Sequence, residues 1–422
     1  MINTFTLNNN LNAVYKNSPN TPRIAITLNI GINKPEKFSG TYSLINRLFT
    51  QGTKTRSAEQ IATELDENAI EFYSDSKQDY YRLRMICLNE DFEKTVELLA
   101  DIVKNTTFED FDKEKLKMHG EITADLDSAR IKAQDNFIKT LFENHYYGHT
   151  LTTILAEMNN ITKEDVINSY NSILASGEKY ISIVGDVPFD TVKNLITEHF
   201  KDLPYDPSKS EIPTPILEKS KRSDVIKKDA NQSQIYQGWL APTYNSEDYA
   251  PLVVFNNILG SSGLSSRLFV NLRDKKGLAY TVRSSYEMYK TCGNFCIYIA
   301  TEPSNIQVSL DGFMEEIGKL QKEQVSEKEL QNAKNNIIGK QQFVTETNMQ
   351  RSNQLAYYGI MHLGYDYQQK YIDLINKVTA EDVQRVANTY FVKDSVISVL
   401  RPERKLRNCW GRNPNLQWFC SK

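Results

Sequence analysis

The side chains that most often carry chemistry are few in this chain. Its 422 residues include five histidines (His119, His145, His149, His199 and His362) and five cysteines (Cys87, Cys292, Cys296, Cys409 and Cys420). His145 and His149 stand at i, i+4 in ENHYYGHT, a spacing that clamps zinc when the backbone is helical. Aromatic, glycine and amide neighbours argue against a continuous helix there, and no Glu lies between the two, so surface or packing roles are expected. His119 precedes Glu121 in MHGEI, but His-x-Glu alone specifies little. No Gly-x-Ser-x-Gly elbow occurs, and LGSSGLSSRLF (259–269) lacks the lysine of a phosphate loop. The cysteines make neither a zinc-ribbon spacing nor a disulfide framework, which suits a reduced, cytoplasmic setting.

One stretch has the layout of a site without its chemistry. In GTYSLINRLFTQGTKTRS (40–57), Phe38, Tyr42, Ile45 and Phe49 recur on helical spacing as a stripe for burial. The opposite face carries Ser43, Asn46, Arg47 and Thr50. Positions i, i+3 and i+4 lie side by side on a helix, where a metal site would be presented. Ser, Asn and Arg at those places supply no zinc ligands. On spacing alone the chain shows no catalytic centre.

The elements that must position these residues occur twice. LINRLFTQGT (44–53) resembles VFNNILGSSG (254–263), with Asn at the same place. ITKEDVINSY (161–170) resembles VTAEDVQRVA (378–387), each with a Thr N-cap and an acid three residues on. YISIVGD (180–186) resembles VISVLRP (396–402), both reading as buried strands. Three matches in the same order indicate a duplication. The reading is α+β: two sheet-plus-helix units, each a sheet covered by helices, at 1–202 and 225–403. Between them LPYDPSKSEIPTPILEKSKRSD (203–224), with four prolines and many charges, suits an extended linker. Its cluster Lys219, Lys221, Arg222, Lys227 and Lys228 is expected to be a solvated linker face. Within the first unit, FTLNNNLNAVYKN reads as a hairpin turning at Asn9-Asn10, and RIAITLNIG and YYRLRMICL as strands. Helices are expected near 38–50, at 57–68 behind a Ser57–Gln60 capping box, and over FEKTVELLADIVKN.

Composition excludes several classes. At 40% hydrophobic and 24% charged the chain is an ordinary globular one, too long for a single core. A net charge of −3 gives no reason to expect nucleic acid. No apolar run approaches the length of about 18 residues that a membrane span needs. The first residues have neither a basic region nor an apolar core, so no export signal is visible. The tail RKLRNCWGRNPNLQWFCSK (404–422) has no periodicity and no assigned role.

Residues 40–57 resemble the active-site segment of the pitrilysin/insulinase family of zinc peptidases, which includes the mitochondrial processing peptidases and their bacterial relatives. Gly40, Leu48, Gly52 and Thr53 fit the frame Gly-x-x-His-Phe-Leu-Glu-His-x-x-Phe-x-Gly-Thr. Further matches are MHGEI (118–122), YISIVGDV (180–187) and LGSSGLSSRLFVNLRDKKGLAYTV (259–282), so the resemblance spans nearly the whole chain. It implies that Ser43 and Arg47 stand where two histidines bind zinc, and Asn46 where a Glu activates water. Glu121 is then the only retained ligand position, and one carboxylate beside an arginine cannot hold zinc. An Arg47–Glu121 ion pair is expected in the metal's place.

The same resemblance implies a substrate role for Arg273 and Tyr280, seven residues apart in RDKKGLAY, as donors to peptide carbonyls. Without it, a packed Tyr opening the strand AYTVRSSYEMY and a helix-end Arg would suffice. LGSSGLSS (259–266) resembles a glycine-bearing loop near the substrate in non-catalytic family subunits. A plain turn before a helix capped by Ser265 or Ser266 explains it equally well. The resulting expectation is a non-catalytic subunit that binds no cofactor itself. It would pair with a zinc-bearing homologous subunit and receive unfolded peptide, with no nucleic-acid or membrane partner. The alternative is a structural homologue like the core subunits of respiratory complexes, without substrate contacts. A weaker third reading is autonomous zinc hydrolysis through His145 and His149.

Overall fold

The computed structural model describes residues 2–208 and 210–403, so the tail from 404 lies outside the described residues. In chain order the first half contains β1 (Ile2–Thr6), β2 (Leu11–Asn17), β3 (Arg23–Gly31), α1 (Thr41–Leu48), α2 (Ala58–Glu67), β4 (Glu71–Ser76), β5 (Tyr80–Leu88), α3 (Phe92–Asn105), α4 (Phe111–Asp127), α5 (Ala129–Leu141), α6 (Leu151–Glu157), α7 (Lys163–Ser176), β6 (Lys179–Gly185) and α8 (Phe189–Phe200). The second contains β7 (Lys221–Lys227), β8 (Ser233–Ala241), α9 (Tyr249–Asn256), β9 (Ala279–Met288), β10 (Gly293–Thr301), α10 (Ile306–Lys322), α11 (Glu327–Phe343), α12 (Asn348–Ile360), α13 (Tyr367–Lys377), α14 (Ala380–Tyr390) and β11 (Val396–Pro402). Two π-helical segments, Asn257–Ser261 and Phe269–Lys275, separate α9 from β9.

The α+β class is as expected, and the duplication is explicit in the strand order. One sheet runs β1-β2-β6-β3-β5-β4 and the other β7-β11-β8-β10-β9. With β1 set aside, the two orders match strand for strand. The β2/β6 and β7/β11 pairs are parallel in their sheets, while every other neighbouring pair is antiparallel. Local signals set the elements. Ser57–Gln60, Thr162–Asp165 and Thr379–Asp382 form capping boxes at α2, α7 and α14. In β5, Tyr81, Leu83, Met85 and Cys87 turn to the core while Arg82 and Arg84 turn away.

Two features differ from the reading above. First, the halves are not closed units covered only by their own helices. α5 packs on β11 and β8 of the second sheet, and α12 packs on β3 and β6 of the first. Each exchange carries polar contacts. Asn136 Nδ2 donates to Ser223 Oγ and Ser398 Oγ, both at 2.8 Å. Ser352 Oγ donates to Thr27 Oγ1 at 2.9 Å and to the Ser182 carbonyl at 3.0 Å. The largest apolar core accordingly runs from Leu11 and Ile26 through Phe137 to Tyr236, Tyr298 and Leu400. Second, the linker is shorter than expected. Lys221–Asp224 already belongs to β7, because Lys221 pairs with Val396 in the parallel ladder to β11. The basic cluster therefore sits partly on a strand, where Lys221 meets Glu143, Arg222 meets Asp224 and Lys227 meets Asp229.

β6 contains a fully buried lysine. Lys179 Nζ donates to the Gly177 carbonyl at 3.1 Å, and burial pushes its pKa down to about 8. A lysine whose pKa is lowered by folding costs stability in full below its folded value. That cost is shed as pH rises from there toward the unfolded value of about 10.4. Lys179→Met is expected to raise stability by on the order of 2 kcal/mol at neutral pH. By about pH 10 most of that gain should be gone. Denaturant unfolding of both proteins at the two pH values checks this; an equal gain at both would place the cost in packing rather than charge.

Candidate functional site

α1 is held rigidly, with carboxylates where its first N–H groups need acceptors. Glu36 accepts from the backbone N–H of Gly40 at 3.0 Å and of Tyr42 at 2.8 Å, and Glu157 accepts from Ser39 at 2.6 Å. Gly40 has φ +98°, and a Cβ there would lie 2.7 Å from Ile154 Cγ2. Tyr42, Leu44, Ile45, Leu48 and Phe49 are buried beneath the helix. Ser43, Asn46, Arg47 and Thr50 are half-buried on its other side.

The structure brings Arg47 and Glu121 together. Nη1 and Nη2 of Arg47 donate to the two carboxylate oxygens of Glu121 on α4, at 2.8 and 2.9 Å. This fork lowers the Glu121 pKa and raises that of Arg47. Glu121 is not a buried carboxylate, because its side chain is 59% exposed. The buried acid is Glu114, 6% exposed, whose Oε2 lies 3.3 Å from Arg47 Nε and whose Oε1 accepts from Lys117 at 2.5 Å. The contact to Nε is electrostatic, since that N–H is not aligned as a hydrogen bond. Sequence reasoning missed Glu114, although seven residues on a helix return to nearly the same face.

Asn46 is turned away from this pair, toward β4. Its Nδ2 reaches the Ser74 carbonyl at 3.5 Å, and Ser74 Oγ donates to the Asn46 carbonyl at 3.3 Å. The second half repeats the contact: Ser284 Oγ donates to the Asn256 carbonyl at 3.3 Å and to Asn256 Oδ1 at 2.6 Å. In both halves an Asn at the end of the helix is thus clasped by a Ser of the edge strand. Gly260 follows from the same packing, since a Cβ there would lie 2.4 Å from the Ser284 nitrogen.

These residues do not fit zinc. A guanidinium occupies both oxygens of Glu121, and Ser43 and Asn46 offer only neutral oxygens and an amide. Among the described residues, no group of three or more His, Cys, Asp or Glu side chains is arranged to hold a metal ion. His145 and His149 flank a 3₁₀ turn rather than sharing a helix. His145 Nδ1 accepts from the Tyr147 N–H, its Nε2 is bonded to the Pro213 carbonyl, and His149 Nδ1 meets Glu36. His119 is exposed on α4.

The second candidate pair also comes together. Arg273 lies in the π-helical segment with its guanidinium between two rings, 4.4 Å from the Phe269 centroid and 4.6 Å from that of Tyr280. Gly277, at φ +62°, turns the chain between them. Ala279 pairs with Thr301 and Thr281 with Ala300, so Tyr280 is the extra residue of a β-bulge that aims its ring outward. Tyr280 is 79% exposed, which rules out the packed-tyrosine reading. Among the described residues neither the guanidinium nor the phenol has a hydrogen-bond partner. Phe269, four residues before Arg273, is a positioning residue legible from helical spacing. LGSSGLSS forms one π-helical segment and a turn. Ser266 stands just before the helical residues that begin at Arg267, its carbonyl accepting from the Val270 N–H at 3.0 Å while its hydroxyl donates to the Gly263 carbonyl at 2.8 Å.

Duplicated mixed sheets, a helix bearing Ser43, Asn46 and Arg47 and an exposed Arg–Tyr pair are compatible with the resemblance to zinc peptidases read from the sequence. Family comparison agrees: residues 12–157 match the insulinase (peptidase family M16) model, and residues 160–337 match the peptidase M16 inactive domain model. The chain belongs to the M16, or pitrilysin/insulinase, peptidase family, and it lacks the His-x-x-Glu-His motif. It is 25% identical to an uncharacterized zinc protease of Rickettsia felis, over 95% of this chain and 97% of that one. It is 24% identical to the uncharacterized zinc protease YmxG of Bacillus subtilis, over 95% and 98%. Among solved structures it resembles a peptidase M16 inactive domain from Pseudomonas fluorescens, with TM-score 0.87, 21% identity and coverage of 95% and 98%. A protease from Helicobacter pylori gives TM-score 0.86, 22% identity and coverage of 95% and 100%.

Glu121 is open to solvent, so its pair with Arg47 is a modest brace. Arg47→Met is expected to destabilise by about 1–2 kcal/mol, mainly by leaving Glu114 with a single cation. The Arg47/Glu121 coupling should be at most about 1 kcal/mol. Because folding lowers the Glu121 pKa, the coupling exists above the ordinary glutamate range and disappears as pH falls through the folded value. A double-mutant cycle with Glu121→Gln by urea unfolding, repeated in high salt and at acid pH, measures it. A coupling unchanged by salt and acid would contradict the ion pair.

Proposed function

We propose that this chain is the non-catalytic, substrate-binding subunit of a heterodimeric zinc peptidase. Arg273 and Tyr280 would contact peptide carbonyls held at the metal of a homologous, zinc-bearing partner. The observation that carries this reading is a contrast between two arginines. Arg47 spends its donors inside the chain, on Glu121. Arg273 is fixed by stacking on two rings yet keeps its donors free, beside an exposed tyrosine hydroxyl. A stacked guanidinium is oriented in advance, so less is lost when it binds a carbonyl. Planar Arg donors and a phenolic O–H suit an extended peptide or a carbonyl gaining negative charge. Zinc belongs to the partner in this reading. The substrates are unfolded peptides, and the setting is the reducing cytoplasm.

Alone, the chain is expected to carry no stoichiometric zinc and to leave peptides intact. About one zinc per chain with chelator-sensitive hydrolysis would overturn the proposal. Mixed with its zinc-bearing homologue, it should raise peptide hydrolysis well above that of the homologue alone. Arg273→Ala should then lower kcat/KM by about 10²-fold, and Tyr280→Phe, which keeps the ring, by about tenfold. Size-exclusion chromatography should show the complex intact in both variants. Unchanged kinetics in both would favour the structural, scaffolding role.

A further inference from the structure

The outer face of the first sheet holds a polar row that neither the vestigial frame nor the Arg–Tyr pair uses. α12 roofs β3 and β6, and the β4–β5 part of that face lies beside it. Asp75, Arg82 and Asn29 stand directly across from one another on β4, β5 and β3, with Tyr73, Arg84 and Thr27 in the adjoining row. Arg82 Nε and Nη2 donate to Asp75 Oδ2 at 3.1 and 2.7 Å, and Arg84 Nη2 donates to the same oxygen at 3.1 Å. Lys77 Nζ lies 3.7 Å from Asp75 Oδ1, too far for a good hydrogen bond. Three cations therefore share one carboxylate, and the nearby Glu71 is engaged by the Tyr73 hydroxyl.

The row is also short of hydrogen bonds. Both amide atoms of the fully buried Asn29, the Nε of Arg84 and the Oδ1 of Asp75 are buried without a partner. Buried polar groups are normally satisfied, so the two donors among these, Asn29 Nδ2 and Arg84 Nε, mark a place for an acceptor guest, while Asn29 Oδ1 and Asp75 Oδ1 are acceptors that such a guest leaves as they are. Burial first, and the neighbouring Arg82 second, pull the Arg84 pKa below its ordinary value against the opposing effect of Asp75, as expected for crowded cations that share one counter-charge.

We propose that Arg82, Arg84 and Asn29 form a binding site for a peptide carboxylate, either an acidic side chain or a free C-terminus. The guest's oxygens would accept from the unspent guanidinium donors and the Asn29 amide. Its charge would balance the excess that Asp75 leaves. The peptide as carrier rests on the substrate-binding reading above; the carboxylate chemistry does not.

Calorimetric titration of the isolated chain tests it with an end-capped octapeptide bearing one Glu, its Gln counterpart, and the Gln peptide with a free C-terminus. A side-chain site should bind the Glu peptide about tenfold more tightly than the Gln peptide, as expected for one charge-assisted bidentate contact. A terminal site should show the same preference for the free acid over the cap. Arg82→Gln or Arg84→Gln should abolish whichever preference appears. Asp75→Asn removes the competing carboxylate and should tighten binding several-fold, which misfolding cannot mimic. Equal affinity for all three peptides, or weaker binding in Asp75→Asn, overturns the proposal while leaving a charge-independent peptide role intact. If no peptide binds, glutarate decides. Binding lost in Arg84→Gln would keep the carboxylate site and count against the peptide reading; no glutarate binding would overturn the site.

Discussion

Each sheet in this protein is roofed by a helix that the other half supplies, and most of the architecture depends on that exchange. α5 leaves the first half to lie on β8 and β11; α12 leaves the second to lie on β3 and β6. Without the exchanged helix each sheet would lay open a face of buried residues, Thr27, Asn29 and Ser182 in the first and Tyr236 and Ser398 in the second, so neither half is complete alone. The polar contacts at the two crossings fix helix position where apolar packing would tolerate sliding. Ser182 and Ser398 occupy equivalent strand positions and each meets a helix of the opposite half. Such networks are costly if half-satisfied, which ties the two halves to one arrangement.

That rigidity explains why the vestigial frame keeps its shape. α1 is fixed by its buried stripe, by carboxylates at its N-terminus and by the Asn46–Ser74 clasp, none of which involves a metal. The clasp has its twin at Asn256–Ser284 in the second half. The two halves thus share one helix-to-edge-strand contact, with Asn46 in the position of Asn256. Shape persists because the core needs it, independently of which side chains stand on the outer face.

Much of this was legible in the sequence because it is written locally. Capping boxes, alternating strands and the register of the repeats follow from residues a few positions apart, and they placed β3, β5, β6, α2 and α3 to within a residue, whereas β4, α4, α5, α6 and α8 were not read. The helix exchange was not legible, since α5 and α12 carry no local mark of which sheet they cover. β7 was hidden because a charged, edge-lying strand reads like the linker before it. At the site, the Arg47–Glu121 pair followed from matching positions to the family frame. Glu114 and Asn29 escaped because their importance lies in burial and missing partners, which only three-dimensional packing reveals.

The polar groups on the outer side of α1 form a consistent set. Arg47 places a permanent cation there, which satisfies Glu121 and lies against the buried Glu114. A guanidinium repels a metal ion while making directed hydrogen bonds that the ion would not. The surface of α1 thereby becomes electrostatically self-contained, with its cation spent on the chain's own carboxylates. Arg273 and Arg82 differ from Arg47 in this respect. The first is held by aromatic rings and the second shares its carboxylate, so each retains donors that the chain itself does not use. The distribution of spent and unspent guanidinium groups separates the parts of this protein that brace the fold from the parts equipped to bind.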